Sequence, residues 1–365
     1  MMEKMPRWAD VILTPLISLA LAFAISAAVI LAIGESPAEA LKVMVEGALG
    51  SSYGWGNTLY YTTNYIFTGL AVAVAYHAGL FNIGGEGQAT IGGLGVALSC
   101  LFIPWPHWTL ALVGAAVAGA LFGALWALIP AWLQARRGSH IVITTIMFNF
   151  IAYNILTHLL SKTLRPLGSM DPATANFPPA THIPGLWQLA EMMGFAWGKH
   201  SLANVTLFIA LLMAVLVWAL IWRTRLGYEL RAFGKSEPAA RYAGISPLRI
   251  TIVVMLISGG LAGMMAVNNV MGMSERLILN AVEGAGFFGI AVALMGRNHP
   301  LGIVLAALLF GFLFQGGAEL SLWTSIPREL IAVIQGLVIL FTGALDNMVR
   351  IPLERLFAAR RRKEG

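Results

Sequence analysis

The chain has 365 residues, of which 58% are hydrophobic and 11% charged, with a formal net charge of +6 and a mean hydropathy of +0.77. Because a soluble globular protein carries about 25% charged residues, this composition excludes a soluble enzyme and indicates a membrane protein. The single cysteine, Cys100, excludes an intramolecular disulfide and any multi-cysteine metal site.

Apolar runs near the roughly 20-residue length of a membrane-crossing helix recur along the chain. They predict an all-α polytopic membrane protein, a single transmembrane domain over 1–365 with about ten transmembrane helices. The spans lie near residues 11–33, 59–80, 84–103, 109–133, 139–160, 202–222, 250–272, 283–296, 300–319 and 328–346. The first is too long for a removed signal peptide and is predicted to be retained. The run 283–296 is short and glycine-rich, which predicts one short or broken segment.

The positions of Lys and Arg predict the orientation, because positive residues are retained on the cytoplasmic side of a membrane. With the N-terminus inside, 17 of the 23 Lys and Arg residues fall in cytoplasmic segments and 6 on the outer side. Both termini are therefore predicted to be cytoplasmic, which requires an even number of crossings.

Two connections between the spans are long. The outer loop, 161–201, contains five prolines and little charge, which predicts an irregular cap with a short helix near 186–193. The cytoplasmic loop, 223–249, is the most informative polar stretch of the sequence. The basic cytoplasmic tail, 350–365, is predicted to rest on the anionic headgroups of the membrane lipid.

Within the cytoplasmic loop, the pattern around residues 236–245 predicts a short helix outside the membrane. Ser236 is a typical N-cap residue and Gly244 a typical stop. The residues between them include Glu237, Pro238, Ala239 and Ala240. Its small side chains leave a smooth surface on which another protein could sit. The alternative is an ordinary basic loop that positive charge holds inside.

Polar side chains inside the apolar runs are candidates for a substrate pathway, because a polar group at bilayer depth is costly. The candidates are Asn82, Glu86, Gln88, Asn149 and Glu283. The glycine-rich segment 81–95, which holds the first three, is predicted to be a poor continuous helix. The alternatives are packing through the glycines, hydrogen bonds between helices, and a simple helix cap at Glu283.

Several motifs of catalysis are missing from the sequence. It has no GxxxxGK[ST] phosphate loop and no HExxH, so neither ATP hydrolysis nor metal-dependent proteolysis has its residues here. The sequence therefore predicts no catalytic residue, no metal ligand and no nucleic-acid partner. It indicates a passive pathway that needs an external source of energy.

Four separated strings resemble one family. They are GLFNIGGEGQ, HIVITTIMFNFIAYN, GKSEPAARYAGI and GFFGIAVALMGRNHPLGIVLAALLFG. The chain resembles, from about residue 10 to 350, the permease subunits of bacterial ABC importers in the branch that serves branched-chain amino acids, simple sugars and nucleosides. The nucleoside or simple-sugar permeases are the sub-branch to which it is most similar.

The resemblance implies a pathway subunit, not an enzyme, that imports a small neutral polar solute across the bacterial cytoplasmic (inner) membrane. It implies a second permease subunit, identical or paralogous, and an outer substrate-binding protein or lipoprotein. Cytoplasmic ATP-binding subunits would use ATP-Mg, whereas this chain would bind no cofactor. The residues that match the coupling motif of the family are Glu237, Ala239, Ala240 and Gly244.

Other classes of membrane protein remain open on the residues alone. An ion-coupled secondary transporter would need titratable groups in mid-span, for which Glu86 and Glu283 are the only plausible residues. A lipid-modifying enzyme would need a catalytic arrangement that the sequence does not show. An open channel would leave the helix predicted at 236–245 without a purpose.

Overall fold

The computed structural model describes residues 6, 13–324, 326, 328–341 and 351–354. This part of the chain is helical, and its only extended pairing consists of two isolated bridges. The helices are α1 Thr14–Ala32, α2 Pro37–Leu49, α3 Ser52–His77, α4 Gly85–Phe102, α5 Trp108–Arg137, α6 Ile141–His158, α7 Leu186–Met192, α8 Thr206–Arg223, α9 Arg225–Lys235, α10 Glu237–Tyr242, α11 Pro247–Ala266, α12 Ala285–Met295, α13 Pro300–Trp323 and α14 Arg328–Ile339. Short π-helical turns extend α6 over Leu159–Thr163 and α11 over Val267–Met273.

Six of these helices are long and apolar enough to cross a membrane: α1, α5, α6, α8, α11 and α13. The helix α12 is apolar but shorter. The prediction of an all-helical polytopic protein is confirmed to this extent, whereas the number of ten spans and the orientation stay predictions. The predicted spans 59–80 and 84–103 lie on α3 and α4, whose polar and glycine residues lower their hydropathy.

The described chain forms two compact units, residues 1–50 with 312–365 and residues 51–311. In the first unit, α1 packs against α14. Gly47 of α2 lies against Glu319, and Met44 lies against Gly316, so α2 contacts the last turns of α13. The sequence predicted no helix at 37–49, although Ser36 caps α2 by accepting a hydrogen bond from the Glu39 N–H at 3.4 Å.

In the second unit, α4, α5 and α11 pack through glycines. A Cβ atom on Gly92 would lie 2.7 Å from the Gly263 carbonyl oxygen, and one on Gly263 would lie 3.1 Å from the Gly123 Cα. Small residues let helix backbones approach closely in a membrane protein. The prediction that 81–95 is a poor continuous helix is wrong from Gly85 onward, because these contacts stabilise α4.

The helix α3 is the most enclosed part of the second unit, because α11, α12 and α8 all pack around it. Residues 62–75 are buried without interruption. A helix that protein surrounds on all sides does not need the apolar surface of a lipid-facing span. Its buried threonines donate to their own helix, as Thr62 does to the Thr58 carbonyl at 2.7 Å.

The two long connections are more structured than the sequence predicted. In residues 161–201, α7 confirms the short helix predicted near 186–193, and the N–H groups of Thr174 and Phe177 donate to the carbonyls of Leu277 and Glu275 at 3.0 and 2.8 Å. Residues 223–249 hold two helices, α9 and α10, where one was predicted. The extra helix forms because Thr224 caps it and Leu230 is buried. The predicted tail, 350–365, lies outside the described residues except for 351–354.

Candidate functional site

Two helix starts meet inside the second unit. The helix α4 begins at Gly85 after an irregular segment, and α12 begins at Ala285 after another. Their N-terminal ends touch, since a Cβ atom on Gly286 would lie 2.5 Å from the Glu86 Cα. We call residues 82–88 and 283–286, with Asn149 and Ser258, the junction.

The junction lies near the middle of a membrane-spanning helix. Ser258 is near the centre of the 27-residue helical stretch Pro247–Met273. The 11 residues of α12 reach about 16 Å at 1.5 Å per residue, roughly half of the ~30 Å hydrocarbon core. Interrupted helices whose N-termini meet near mid-membrane are typical of substrate sites in transporters.

The Glu86 carboxylate connects α4 to α12. Its Oε1 accepts from the Gly284 N–H at 3.0 Å and its Oε2 from the Gly286 N–H at 2.9 Å. A negative charge at a helix N-terminus compensates the positive end of the helix dipole. Since Glu86 occupies this position, the alternative that Glu283 is a simple cap of α12 is wrong.

The Asn149 side chain connects α6 to the start of α4. Its Oδ1 accepts from the Gly87 N–H at 2.8 Å, and its Nδ2 donates to the Ile83 carbonyl at 2.9 Å. The oxygen and the nitrogen of the Asn149 amide therefore both bond the backbone of the segment 83–87. This pairing satisfies groups that the first turn of α4 cannot bond within the helix.

A third set of hydrogen bonds holds the irregular segment before α4. The Asn82 Nδ2 donates to Gln88 Oε1 and to Ser258 Oγ, both at 2.9 Å. Ser258 in turn donates to the Ala71 carbonyl of α3 at 2.6 Å. All three side chains are buried, so this set connects the segment to α11 and α3.

A cavity of about 50 Å³ lies beside the junction. Its wall consists of Glu86, Ala89, Thr90, Gly93, Asn149, Tyr153, Leu156, Val270, Leu277, Asn280, Ala281 and Val282. A water molecule takes about 30 Å³ of the liquid, so this volume suits one or two waters and no larger solute.

The outer side of the junction, at and beside this cavity, carries exposed polar residues. Glu283 and Asn280 are exposed, and Tyr153 of α6 is half-exposed. A carboxylate that faces lipid at this depth would be costly. We therefore expect protein or water, not lipid, to cover this face.

The helix α10 is the second candidate region, and its termini have the predicted form. The Ser236 Oγ accepts from the Ala239 N–H at 3.4 Å. At the other end, Gly244 has a φ of +82°, and the Ile245 N–H donates to the Ala240 carbonyl at 3.0 Å. This is a Schellman motif, in which glycine avoids the strain of a left-handed backbone. The predicted helix and its stop are confirmed.

The outward face of α10 is accessible. Tyr242 is 97% exposed, whereas Ala240 is buried and packs inward. Glu237 and Arg241 pair at 3.0 Å on the exposed side and line a shallow groove with Pro238. Ala239 and Gly244 are also exposed. The face of the helix that could meet another protein is thus polar at one edge and aromatic at the other.

The junction and α10 lie within the region that a known family model matches. The model, described as branched-chain amino acid transport system / permease component, matches residues 54–343. The chain belongs to this permease family. Among the residues of the permease that the structure describes, no group of three or more His, Cys, Asp or Glu could hold a metal ion.

Several curated proteins are similar to the permease. The guanosine ABC transporter permease protein NupP of Bacillus subtilis is 35% identical over 91% of this chain and 93% of its own length. The nucleoside ABC transporter permease protein NupB of Lactococcus lactis is 34% identical over 90% of both chains. The glucose ABC transporter permease protein TsgB13 of Haloferax volcanii is 32% identical over 90% of this chain and 86% of its own. No solved structure matches the chain significantly.

The five predicted pathway residues of the permease all lie at the junction. Their surroundings there differ. Glu86 and Asn149 line the cavity, and Glu283 lies beside it on the exposed side. Asn82 and Gln88 are 1% exposed and bond each other. That these residues contact a substrate stays a prediction.

The sequence analysis did not identify some of the polar residues that form hydrogen bonds between elements of the permease. Ser258 is one small residue among others in an apolar run, and nothing in the sequence relates it to Asn82. Asn268 bonds Asn64 of α3 and Asn204 before α8, both at 2.8 Å. The adjacent pair Asn268 and Asn269 inside an apolar run was the available signal, and it falls in the π-helical turn after α11.

Proposed function

We propose that this permease forms the membrane pathway of an ABC importer for a nucleoside or a simple sugar. The observation that carries the proposal is the match over about nine-tenths of the chain to permeases named for guanosine, nucleosides and glucose. The junction supports a neutral polar solute, since its buried polar side chains are amides and one hydroxyl, and the Glu86 carboxylate is paired with backbone N–H groups.

The pathway would run along the exposed polar face beside the junction. Glu86, Asn149 and Glu283 would form its wall, while Asn82 and Gln88 would hold the segment before α4. The cavity is too small for a sugar, so α4 and α12 would separate during transport. A second permease subunit, identical or paralogous, would cover the exposed side of Glu283 and remove it from lipid.

The remaining partners follow from the same family. The end of α3 that carries His77 would face the cytoplasm, with both termini on that side and the chain in the bacterial inner membrane. Cytoplasmic ATP-binding subunits would receive α10 and hydrolyse ATP-Mg, so this chain has a transport role without a cofactor of its own. An outer binding protein would deliver the solute to residues 161–201.

The proposal is tested by affinity purification of the tagged chain from its native membranes. We expect an ATP-binding subunit to copurify, and ATP hydrolysis by the complex to rise when guanosine, ribose or glucose is added with the outer binding protein. A solitary oligomer without ATPase would contradict the proposal. Uptake that a protonophore abolishes and ATP depletion spares would instead support an ion-coupled secondary transporter.

The pathway assignment is tested by Asn149→Ala. The change removes both hydrogen bonds to the start of α4, so we expect uptake of the transported solute to fall about tenfold, equivalent to roughly 1.4 kcal/mol, while the ATPase still copurifies. The matched control is Thr157→Ala, because Thr157 lies on the same helix and bonds only the Tyr153 carbonyl of its own helix among the described contacts. Normal uptake by Asn149→Ala would remove this residue from the pathway.

A further inference from the structure

The end of α9 rests directly on the end of α3. A Cβ atom on Gly234 would overlap the His77 carbonyl oxygen and lie 2.8 Å from the Gly79 nitrogen. In the other direction, a Cβ atom on Gly79 would lie 3.2 Å from the Gly234 Cα. The two backbones therefore touch with no side chain between them.

The α3 side of this contact is well defined and leads straight to the junction. Gly79 has a φ of +69°, and the Leu80 N–H donates to the Ala75 carbonyl at 3.0 Å, so α3 ends in a Schellman motif. Asn82 follows three residues after Gly79, and Glu86 four residues later. A displacement of Gly79 is thus passed by a short segment to the hydrogen bonds of the junction.

Two further elements meet α3 at the same end. The His77 Nε2 lies 3.0 Å from the Asn298 carbonyl in the turn between α12 and α13. The Trp222 ring at the end of α8 lies 5.2 Å from the His77 ring and 5.0 Å from the His299 ring. The ends of α3 and α8 and the turn after α12 therefore form one packed group against which α9 lies.

The α9 side of the contact leads to α10. A single residue, Ser236, ends α9 and caps α10. Leu230 and Phe233 are buried on one face of α9, and Ala240 is buried on the inner side of α10. Because no flexible linker separates the two helices, a force on α10 acts on α9.

We propose that Gly234 is a positioning residue that transmits movement of α10 to the junction through its backbone contact with Gly79. The inference rests on the proposed function, in which an ATP-binding subunit moves α10. Glycine suits this position because any side chain would hold α9 away from α3. With the contact separated, α10 could still bind its partner, but its movement would reach the junction only weakly.

The test is Gly234→Ala in the tagged full chain, purified with its ATP-binding subunit. Alanine favours a helix more than glycine does, so α9 is expected to form and the change acts through the contact. We expect normal recovery of the ATP-binding subunit and retained ATP hydrolysis, with uptake per ATP hydrolysed reduced about fivefold. The control is Gly336→Ala, because Gly336 lies inside α14 and a Cβ atom added there would have no neighbouring atom within 4 Å.

Two results would overturn the inference while leaving the proposed function intact. One is normal uptake and normal hydrolysis in Gly234→Ala; the other is a proportional loss of uptake, hydrolysis and subunit recovery, as a purely structural role predicts, because both leave the uptake per ATP unchanged. A wild-type chain that recovers no ATP-binding subunit would overturn both. If Gly234→Ala yields no folded protein, Trp222→Leu decides, because it loosens the same packed group without adding atoms: a normal uptake-to-ATP ratio there would also refute the inference.

Discussion

The helix α10 and the junction are both candidate functional regions, and they are held together in opposite ways. The hydrogen bonds that define α10 join residues three to five positions apart, as between Ser236 and Ala239. At the junction, Gly286 and Glu86 are 200 positions apart, and Asn82 and Ser258 are 176 apart. The comparison teaches that α10 can keep its shape while it moves, whereas the junction exists only when the second unit is folded.

The largest effect is expected for Gly286→Ala, which would break the junction side of the comparison. The new methyl group meets the Glu86 backbone, which cannot move without shifting α4, so we expect the unit to lose about 3 kcal/mol of stability. Thermal unfolding of the detergent-solubilised protein measures this loss. Gly260→Ala is the matched control, because its Cβ atom would lie at an ordinary 3.4 Å from the Ala120 carbonyl oxygen. Equal melting temperatures for the two variants would refute the close approach.

A smaller loss, about 2 kcal/mol, is expected for Glu86→Gln. The amide presents an NH₂ group to one of the two backbone N–H donors, so one hydrogen bond is lost and the negative charge at α12 disappears. Hydrogen exchange should then accelerate in two distant segments, 84–88 and 284–286. Glu191→Gln on the exposed side of α7 serves as control. Acceleration in only one segment would show that Glu86 does not connect the two helices.

The smallest effect is expected for Ser236→Ala, which removes the cap of α10 at a cost of about 1 kcal/mol. Its consequence should stay local, with faster hydrogen exchange over 236–245 and no change at the junction. Ser246→Ala, which removes the corresponding cap of α11 at the Arg249 N–H, is the comparison variant. A change at the junction in Ser236→Ala would mean that α10 is not an independent local structure.

What the sequence could predict of the fold and of the candidate site follows the same division between the local contacts of α10 and the distant contacts of the junction. The composition predicted a membrane protein, and Ser236 and Gly244 predicted α10, because each signal lies within one short stretch of chain. The pattern also drew attention to Asn82, Glu86 and Asn149 as unusual polar residues. It could not pair them with Gly286, Ser258 or Ile83, since a hydrogen bond between distant residues leaves no periodic signal. The helix α2 was missed because its apolar content is too low for a span.

The sequence by itself determined the class of the protein, the short helix α10 and the membership of a permease family, because hydropathy, capping and motif strings act over neighbouring residues. Only the tertiary structure decided that α4 and α12 begin against each other and that Glu86 serves α12 in place of Glu283. It also decided that α9 meets α3 at Gly234. These contacts depend on how closely distant backbones approach, and that distance is set by the packing of the whole unit.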